Sequence, residues 1–257
     1  MAEQKKESLL QRLGESQVWK SIIRSGVPRN RRQRMYAVLG NVFLHLHPAR
    51  LPKHAVKIGY TWCMGGLSFF LFVVLTITGI LLMFYYRPTV EYAYTDIIDL
   101  TEQVPLGIMR EMHRWGAHAM VLTVWLHMLR VFMTGSYKPP REFNWGVGVL
   151  LMTLTLFLSF TGYLLPWDQL AMWAVTVGTN MARATPFLGN EGPFAEFVGV
   201  TPRYDARALL IGGSLVGPPA LLRFYVLHCI FIPLIAGALM IVHFWRIRKD
   251  GGISGPL

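Results

Sequence analysis

The sequence predicts an all-α membrane protein with four transmembrane helices. The 257 residues are 53% hydrophobic, with a mean hydropathy of +0.38. Only 15% are charged, against about 25% in soluble domains. Four stretches contain no Asp, Glu, Lys or Arg: residues 62–86, 115–129, 144–167 and 224–245. Three of them reach the roughly 20 residues that cross a hydrocarbon core. The second extends past Arg130, whose side chain can reach the interface. Runs of this length argue against a soluble helical core.

The segment before the first span is basic. Residues 1–57 contain twelve of the 25 Lys and Arg of the chain, whose net charge is +11. Beside a membrane, such a segment favours anionic lipid headgroups over nucleic acid. Residues 8–47 mix apolar and basic positions and predict an amphipathic surface helix plus a linker. We therefore divide the chain into this N-terminal segment, 1–57, and a four-helix domain, 58–257. The first apolar run begins too late for a signal peptide.

Charge in the connectors predicts the orientation of the spans. The connector that holds Lys138 and Arg141 is basic, as is the C-terminal tail, whereas residues 87–112 are rich in Asp and Glu. The positive-inside rule places both termini and the Lys138 connector in the cytoplasm. The acidic connector and the long connector 168–223 then face outward. Cys63 opens the first span on the inner side, and Cys229 lies near the outer start of the fourth. The two cysteines are therefore too far apart to form a disulfide.

Four histidines lie in the spans at two matching depths. His113 and His127 are 14 residues apart in the second span, and His228 and His243 are 15 apart in the fourth. Each pair returns to within roughly 40–60° of one helix face after a rise of about 21–22 Å. Both spans run from outside to inside, so His113 and His228 share an outer level, and His127 and His243 share an inner one.

Two matched pairs favour metal ligation over other roles of membrane histidines. A single such residue could equally be a hydrogen-bonded packing residue or part of a proton relay. Imidazole is also a haem ligand, and an iron between two facing helices needs one ring from each. Two stacked haems explain all four residues. His118 lies off this spacing and is predicted to hydrogen-bond to another helix, while His45, His47 and His54 are predicted to be interfacial.

Glycines and arginines repeat the two levels. The first and third spans each contain two glycines that are also 14 residues apart: Gly65 and Gly148 at the inner level, and Gly79 and Gly162 at the outer. Glycine would leave room for a flat macrocycle, although it also mediates close packing of membrane helices. Haem propionates need cations, and the candidates are Arg110 and Arg114 at the outer level and Arg130 at the inner. Arg130 could instead anchor the end of its helix.

A series of motifs carries a resemblance to a known family. They are WCMGG, FYYRPT, HRW with a distal LH, KPPREFNW, TGYLLPWDQ, RFYVLH and IRKDGGISGPL. Over about residues 54–257 the chain resembles cytochrome b6, the split four-helix cytochrome b of b6f and bacterial bc-type complexes. The 15-residue interval in the fourth span is similar to the split type, since the longer eight-helix relatives typically use 14. The resemblance implies a dihaem cytochrome b bundle.

The resemblance also implies the cofactors. His113 and His228 would ligate a low-potential haem b near the outer face, and His127 and His243 a high-potential haem b near the inner face. Cys63 would form a single thioether to a third, covalently bound c-type haem beside the inner one, although no CxxCH motif is present. Arg248 would bind its propionate or the quinone. Cys229 matches no such site and is predicted to be structural.

The implied activity is a quinol cycle coupled to proton translocation. Quinol, either menaquinol or plastoquinol, would be oxidised at the outer face, one electron passing to a Rieske iron–sulfur protein and the other crossing to reduce quinone inside. Tyr163, Asp168 and a surface helix at 170–182 would line the outer quinol pocket. The PEWY motif that completes this pocket is absent here, which implies a separate three-helix subunit.

Further partners and the location follow from the same resemblance. They are a c-type cytochrome or plastocyanin as acceptor, membrane lipids and a dimeric complex, with no nucleic acid, in a bacterial plasma membrane or alternatively a thylakoid membrane. The first 40 or so residues and residues 190–214 exceed the family pattern. Two other interpretations stay open. One is a dihaem anchor for a different oxidoreductase, such as a hydrogenase or formate dehydrogenase, and the other is a haem-free channel or transporter with a histidine proton relay.

Overall fold

In the part of the chain that the structure describes, four helices are long and apolar enough to cross a membrane. The computed structural model describes residues 16, 17, 19, 28–41, 45, 46, 51–103 and 105–255, which contain helices and no strand. The four spans are Met64–Met83, Leu106–Met133, Glu142–Leu164 and Pro218–Lys249. The predicted all-α fold with four spans is confirmed. The second span begins earlier than its uncharged stretch, because Glu111 inside it forms ion pairs with Arg110 and Arg114.

The fourth span contains one turn of different geometry. It consists of an α-helix at Pro218–Val226, a π-helical turn at Leu227–Phe231 and an α-helix at Ile232–Lys249. A π turn holds an extra residue, since its hydrogen bonds close over five residues instead of four. His228 and Cys229 lie in this turn.

The spans form a bundle whose outer surface is mostly apolar and exposed in the single chain. The first span packs along the second, the third along the fourth, and the second against the third. The π turn of the fourth span also contacts the first, which closes the bundle. Large exposed side chains cover the outside, including Phe70, Phe157 and Leu234. Apolar exposure on this scale fits a surface that faces lipid or other subunits.

The acidic connector is tied down by a buried carboxylate. It carries the helix Ala93–Glu102, which packs on the second span. Asp96 in this helix is buried and accepts hydrogen bonds from the backbone N–H and the guanidinium of Arg87. These bonds hold the pKa of the Asp96 carboxyl below its usual range. The hydroxyl of Tyr86 donates to the carbonyl of Leu165 at 2.7 Å, and burial raises the pKa of that phenol.

The long connector after the third span is folded over the same end of the bundle. Its first helix, Gln169–Met181, confirms the surface helix predicted at 170–182. A 3-10 turn at Ala182–Ala184 follows, and then two short helices at Ala195–Val198 and Ala206–Ile211. Asp205 is buried, caps the last of these helices and lies 3.8 Å from Arg183. Part of the region that exceeds the family pattern is therefore a small folded unit.

The opposite end of the bundle gathers three segments that are distant in sequence. The carbonyl of Ser254 accepts hydrogen bonds from the hydroxyl of Tyr60, at 2.9 Å, and from Nε2 of His54, at 3.1 Å. The hydroxyl of Ser254 also bonds that of Ser136 in the connector between the second and third spans. The C-terminal tail therefore fastens the segment before the first span to that connector. One common face for these three segments agrees with an even number of spans.

Slightly less than half of the N-terminal segment falls within the described residues. A 3-10 turn at Lys53–Val56 and a short helix at Ile58–Thr61 lead into the first span. Farther upstream, the helix Arg31–Gly40 has no buried residue and begins at a capping box formed by Asn30 and Gln33. Of the amphipathic helix and linker expected over 8–47, residues 8–15, 18, 20–27, 42–44 and 47 lie outside the described residues. The division at residue 57 stays a prediction.

Candidate functional site

The four predicted histidines meet as two pairs between the second and fourth spans. The ring centroids of His113 and His228 are 6.1 Å apart with an interplanar angle of 73°. Those of His127 and His243 are 6.5 Å apart at 79°. Metal–imidazole bonds are about 2 Å long, so two rings on opposite sides of one metal have centres about 6 Å apart. Both pairs are therefore spaced as two imidazoles that share one metal would be.

At the outer level, groups on the first and third spans contact Nδ1 of each histidine ring. Nδ1 of His113 lies 2.9 Å from the hydroxyl of Thr78 on the first span. Nδ1 of His228 lies 3.0 Å from the carbonyl of Leu158 and 3.2 Å from the hydroxyl of Thr161 on the third span. A carbonyl can only accept, so Nδ1 of His228 carries the proton and Nε2 keeps its lone pair. This is the form of the ring that ligates a metal.

The inner pair lacks such partners among the described residues. Nδ1 of His243 is buried and has no hydrogen-bond partner among the described residues. No described residue makes a hydrogen bond to the ring of His127, which lies beside the ring of His243 and against Gly65. Sequence reasoning treated the two pairs as equivalent and missed this difference.

Three of the four predicted glycines lie directly against a histidine ring. A Cβ added at Gly162 would come within 2.5 Å of Cε1 of His228, and one at Gly79 within 3.1 Å of Cε1 of His113. At Gly65 the distance to Cε1 of His127 would be 3.2 Å. Gly148 is looser: a Cβ there would meet Sδ of Met128 at 3.5 Å and His243 at 3.9 Å. Because glycine has no side chain, the edges of these imidazole rings fit against the backbone of the neighbouring helix.

The basic residues at the two levels differ in their pairing. Arg110 and Arg114 at the outer level both bond the carboxylate of Glu111, at 3.2 and 2.6 Å. At the inner level, Nε and Nη2 of Arg130 are buried and have no hydrogen-bond partner among the described residues, although the guanidinium lies 4.5 Å over the ring of Tyr60. Arg248 donates to the carbonyl of His45 in the N-terminal segment. Arg130 therefore has buried donors at the inner level that an anion could bond.

Cys63 is the exposed residue at which the first span begins. It has a left-handed backbone with φ of +51°, as does Trp62 before it. This conformation is rare for residues with a side chain. The double turn separates the helix Ile58–Thr61 from the span and leaves the thiol on the surface, beside Gly66. Since Gly65 contacts His127, the thiol opens the span at the inner level. Cys229 is half-buried in the π turn at the outer level, and both thiols are free.

The quinol-pocket candidates lie at the outer end of the third span. Tyr163 is 52% exposed there. Asp168 caps the helix Gln169–Met181, with Oδ1 accepting the N–H of Ala171 at 2.7 Å. The structure thus shows a helix-capping role for Asp168 and leaves the phenol of Tyr163 accessible.

One sequence-based prediction is wrong. His118 was expected to hydrogen-bond to another helix, but its Nδ1 lies 2.7 Å from the carbonyl of Arg114 on its own helix and the residue is exposed. Position 118 is one turn beyond Arg114, so the helix itself supplies the acceptor and no neighbour is needed.

With this geometry established, similarity to known proteins identifies the family. Residues 51–251 match the cytochrome b/b6/petB family. The chain belongs to the cytochrome b/b6 family. It is thereby a cytochrome b subunit of the type found in bc and b6f complexes, an electron-transport component of an oxidoreductase.

Similar proteins come from several kinds of host. Cytochrome b6 of Heliomicrobium gestii is 41% identical over 212 residues, 82% of this chain and 91% of the relative. The menaquinol:cytochrome c reductase cytochrome b subunit of Bacillus subtilis is 42% identical over 80% of this chain and 86% of the relative. A chain of a hyperthermophilic respiratory complex III is 29% identical, with a TM-score of 0.66 over 74% of this chain and 48% of that chain.

Membership of the family implies haem b, and the two histidine pairs fit it. At His228, Nδ1 bonds protein groups and leaves Nε2 free to ligate a metal. Both pairs have the spacing of two ligands on one iron, and glycines leave room beside the rings. The unpartnered donors of Arg130 fit a carboxylate such as a propionate.

Proposed function

We propose that the chain carries electrons across a membrane within a quinol-oxidising bc or b6f-type complex, holding two haem b groups and one covalently attached haem. The observation that supports this most strongly is the matching of two histidine pairs at two depths. His113 and His228 would hold the outer haem, and His127 and His243 the inner one. Bound at these positions, haem b supplies reversible one-electron oxidation and reduction.

The separation of the two levels gives the transfer its energetic value. His113 and His127 are 14 residues apart, a rise of about 21 Å. An electron that moves from the outer to the inner level therefore crosses most of the hydrocarbon core. Each such charge is worth about 2.3 kcal/mol per 100 mV of membrane potential. The apolar spans keep this path free of water, and proton translocation would follow from oxidising quinol on one side and reducing quinone on the other.

The inner face would hold the third cofactor. The thiol of Cys63 is exposed at the inner start of the first span, as a single thioether attachment requires. Arg130 has free donors for a propionate, and Arg248 lies in the same end of the bundle as a candidate for propionate or quinone. At the outer face, the exposed Tyr163 and the loop at Asp168 would contribute to the quinol pocket, and Arg110 and Arg114 would serve the outer propionates.

The relatives support the choice of substrate and partners. The Bacillus subtilis relative is named a menaquinol:cytochrome c reductase subunit, which favours menaquinol over plastoquinol here. We propose a Rieske protein, a PEWY-bearing three-helix subunit and a c-type cytochrome as partners in a dimeric complex. The location would be a bacterial plasma membrane with both termini cytoplasmic.

Optical spectra of the purified complex test the haem ligands. His113→Ala should remove the outer b-type haem and His127→Ala the inner one, each lowering the reduced-minus-oxidised b band to about half. His118→Ala is the matched control, because this exposed histidine of the same helix bonds only its own backbone. If all three variants kept the wild-type band, the assignment of these histidines as haem ligands would be wrong. Absence of a b band from the wild-type complex would favour a haem-free channel.

A denaturing gel stained for haem tests the third cofactor. Haem should stay on the wild-type polypeptide and be lost in Cys63→Ser, while Cys229→Ser, the half-buried thiol of the outer level, keeps it. Absence of stain from the wild-type chain would remove the covalent haem and leave a dihaem protein.

A further inference from the structure

The residues that touch the outer histidines form the same local pattern on two different spans. Thr78 precedes Gly79 on the first span, and Thr161 precedes Gly162 on the third. In each case the threonine hydroxyl meets Nδ1 of the ring while the glycine leaves space for Cε1. At the inner level, Gly65 and Gly148 follow Met64 and Val147, which offer no hydroxyl.

The proton of each threonine is already used within its own helix. The hydroxyl of Thr78 donates to the carbonyl of Val74 at 2.8 Å, and that of Thr161 to the carbonyl of Phe157 at 2.8 Å. A hydroxyl has one proton and two lone pairs. Toward the imidazole, each oxygen is therefore left to accept, and the ring must donate from Nδ1. Both threonines are buried, 5% and 3% exposed, so water does not compete for these bonds.

An acceptor at Nδ1 acts on the nitrogen at the opposite side of the ring. It fixes the tautomer that keeps the lone pair on Nε2, holds the ring orientation and makes Nε2 a stronger electron donor. A stronger donor stabilises oxidised iron and so lowers its reduction potential. The two levels would then differ in potential partly through hydroxyl groups that only one of them has.

We propose that Thr78 and Thr161 are positioning residues, which lock His113 and His228 in the Nδ1–H form and lower the potential of the metal group held at the outer level. The inference rests on the proposed dihaem function. The two threonines are not equivalent. His228 also bonds the carbonyl of Leu158, whereas the hydroxyl of Thr78 is the hydrogen-bond partner of the His113 ring among the described residues. Loss of Thr78 should therefore have the larger effect.

The test is a redox titration of the b band in the intact complex with Thr78→Val and Thr161→Val. We expect the outer haem to become easier to reduce, with a roughly three- to tenfold higher ratio of reduced to oxidised form at a fixed potential, tenfold being 59 mV for one electron. The inner haem should titrate as in wild type. Thr78→Ser and Thr161→Ser, which keep the hydroxyl, should restore the wild-type outer titration.

Two threonines without an imidazole contact serve as controls. Thr76 on the first span is exposed and donates to the carbonyl of Phe72, and Thr155 on the third is buried and donates to that of Leu151. Thr76→Val and Thr155→Val should leave both titrations unchanged. Loss of the outer haem from the valine variants alone would also support the proposal, because the serine variants differ from them by the hydroxyl.

Three outcomes overturn it: valine variants that keep both haems and titrate like the controls, valine variants in which the outer haem becomes harder to reduce, or equal disruption by valine and serine. A wild-type complex without two b-type haems would instead refute the proposed function itself, so the two failures are distinguishable.

Discussion

The outer and inner histidine pairs have nearly the same ring spacing but different surroundings. The outer rings are held by threonine hydroxyls and a backbone carbonyl from the first and third spans. At the inner pair, Nδ1 of His243 is unpartnered among the described residues, and buried donors of Arg130 and Arg246 are unpartnered nearby along the chain. The protein itself supplies hydrogen-bond partners to the outer rings, whereas polar groups at the inner level have none among the described residues. Equal ligands need not make equal sites, because the neighbouring spans decide how each ring is held.

Among the changes that test the two levels, single-residue deletions should have the largest effects on haem content. Deleting Leu122 between His113 and His127 rotates one histidine by about 100° relative to the other, so at least one haem should be lost. Deleting Ile230 should be tolerated, because the π turn at Leu227–Phe231 can relax to an α turn and leave the histidines of the fourth span 14 residues apart. The b-band amplitude per chain measures both.

Equal haem loss in the two deletions would show that the π turn does not absorb the extra residue. Leu122 and Ile230 are both exposed apolar residues, 58% and 46%, so the pair is matched for burial.

Alanine at the glycines should separate tight from loose positions. In Gly162→Ala the new methyl would lie 2.5 Å from Cε1 of His228, which must shift, so the outer haem should be lost or its spectrum altered. Gly148→Ala adds a methyl in ordinary contact with Met128, 3.5 Å away, and should keep both haems. Optical spectra with quantified haem per chain test this difference, and equal effects of the two substitutions would contradict the distances from the added methyl groups.

Arginine substitutions should have intermediate, level-specific effects. Arg130→Gln removes free donors at the inner level, and loss of a charge-assisted hydrogen bond to a propionate costs about 1.5–3 kcal/mol. Inner haem should therefore be released at lower denaturant, and its potential should fall because a nearby positive charge is lost. Arg110→Gln should change the outer haem less, since Glu111 keeps its 2.6 Å bond to Arg114. A larger effect of Arg110→Gln would reverse this part of the comparison.

The smallest expected effect concerns the acidic connector beside the outer level. Arg87 holds the pKa of the Asp96 carboxyl below its usual range, so this group stabilises the fold above its unfolded pKa of about 3.9, and the contribution is lost as pH falls through the lower folded value. Asp96→Asn should lower the Tm by a few degrees at pH 7, and the difference from wild type should shrink in acid. Asp99→Asn, at an exposed position of the same helix, should change neither, and a pH-independent difference would contradict the account.

Much of the site could be predicted because its ordering principle is local. Helix rise and rotation convert the positions of His113, His127, His228 and His243 directly into two depths. The same arithmetic placed Gly65 and Gly79 at those depths. It could not show that Gly148 is the loose one, because that depends on how side chains of separate helices meet. The pairing of Glu111 with both Arg110 and Arg114 is local to the second span, and sequence reasoning overlooked it. His118 shows the reverse: sequence reasoning invoked a neighbouring helix where the acceptor was four residues away.

The sequence by itself determined the four apolar spans, the two histidine levels and the resemblance to cytochrome b6, since hydropathy and helical periodicity act along the chain. Only the tertiary structure decided which groups meet Nδ1 of the two outer rings, namely Thr78, Thr161 and Leu158 on other helices. It also decided that a π turn accommodates the longer interval of the fourth span. The reason is physical: hydrogen bonds and close packing between helices join residues 35 to 70 positions apart, and no local pattern specifies which of them will meet.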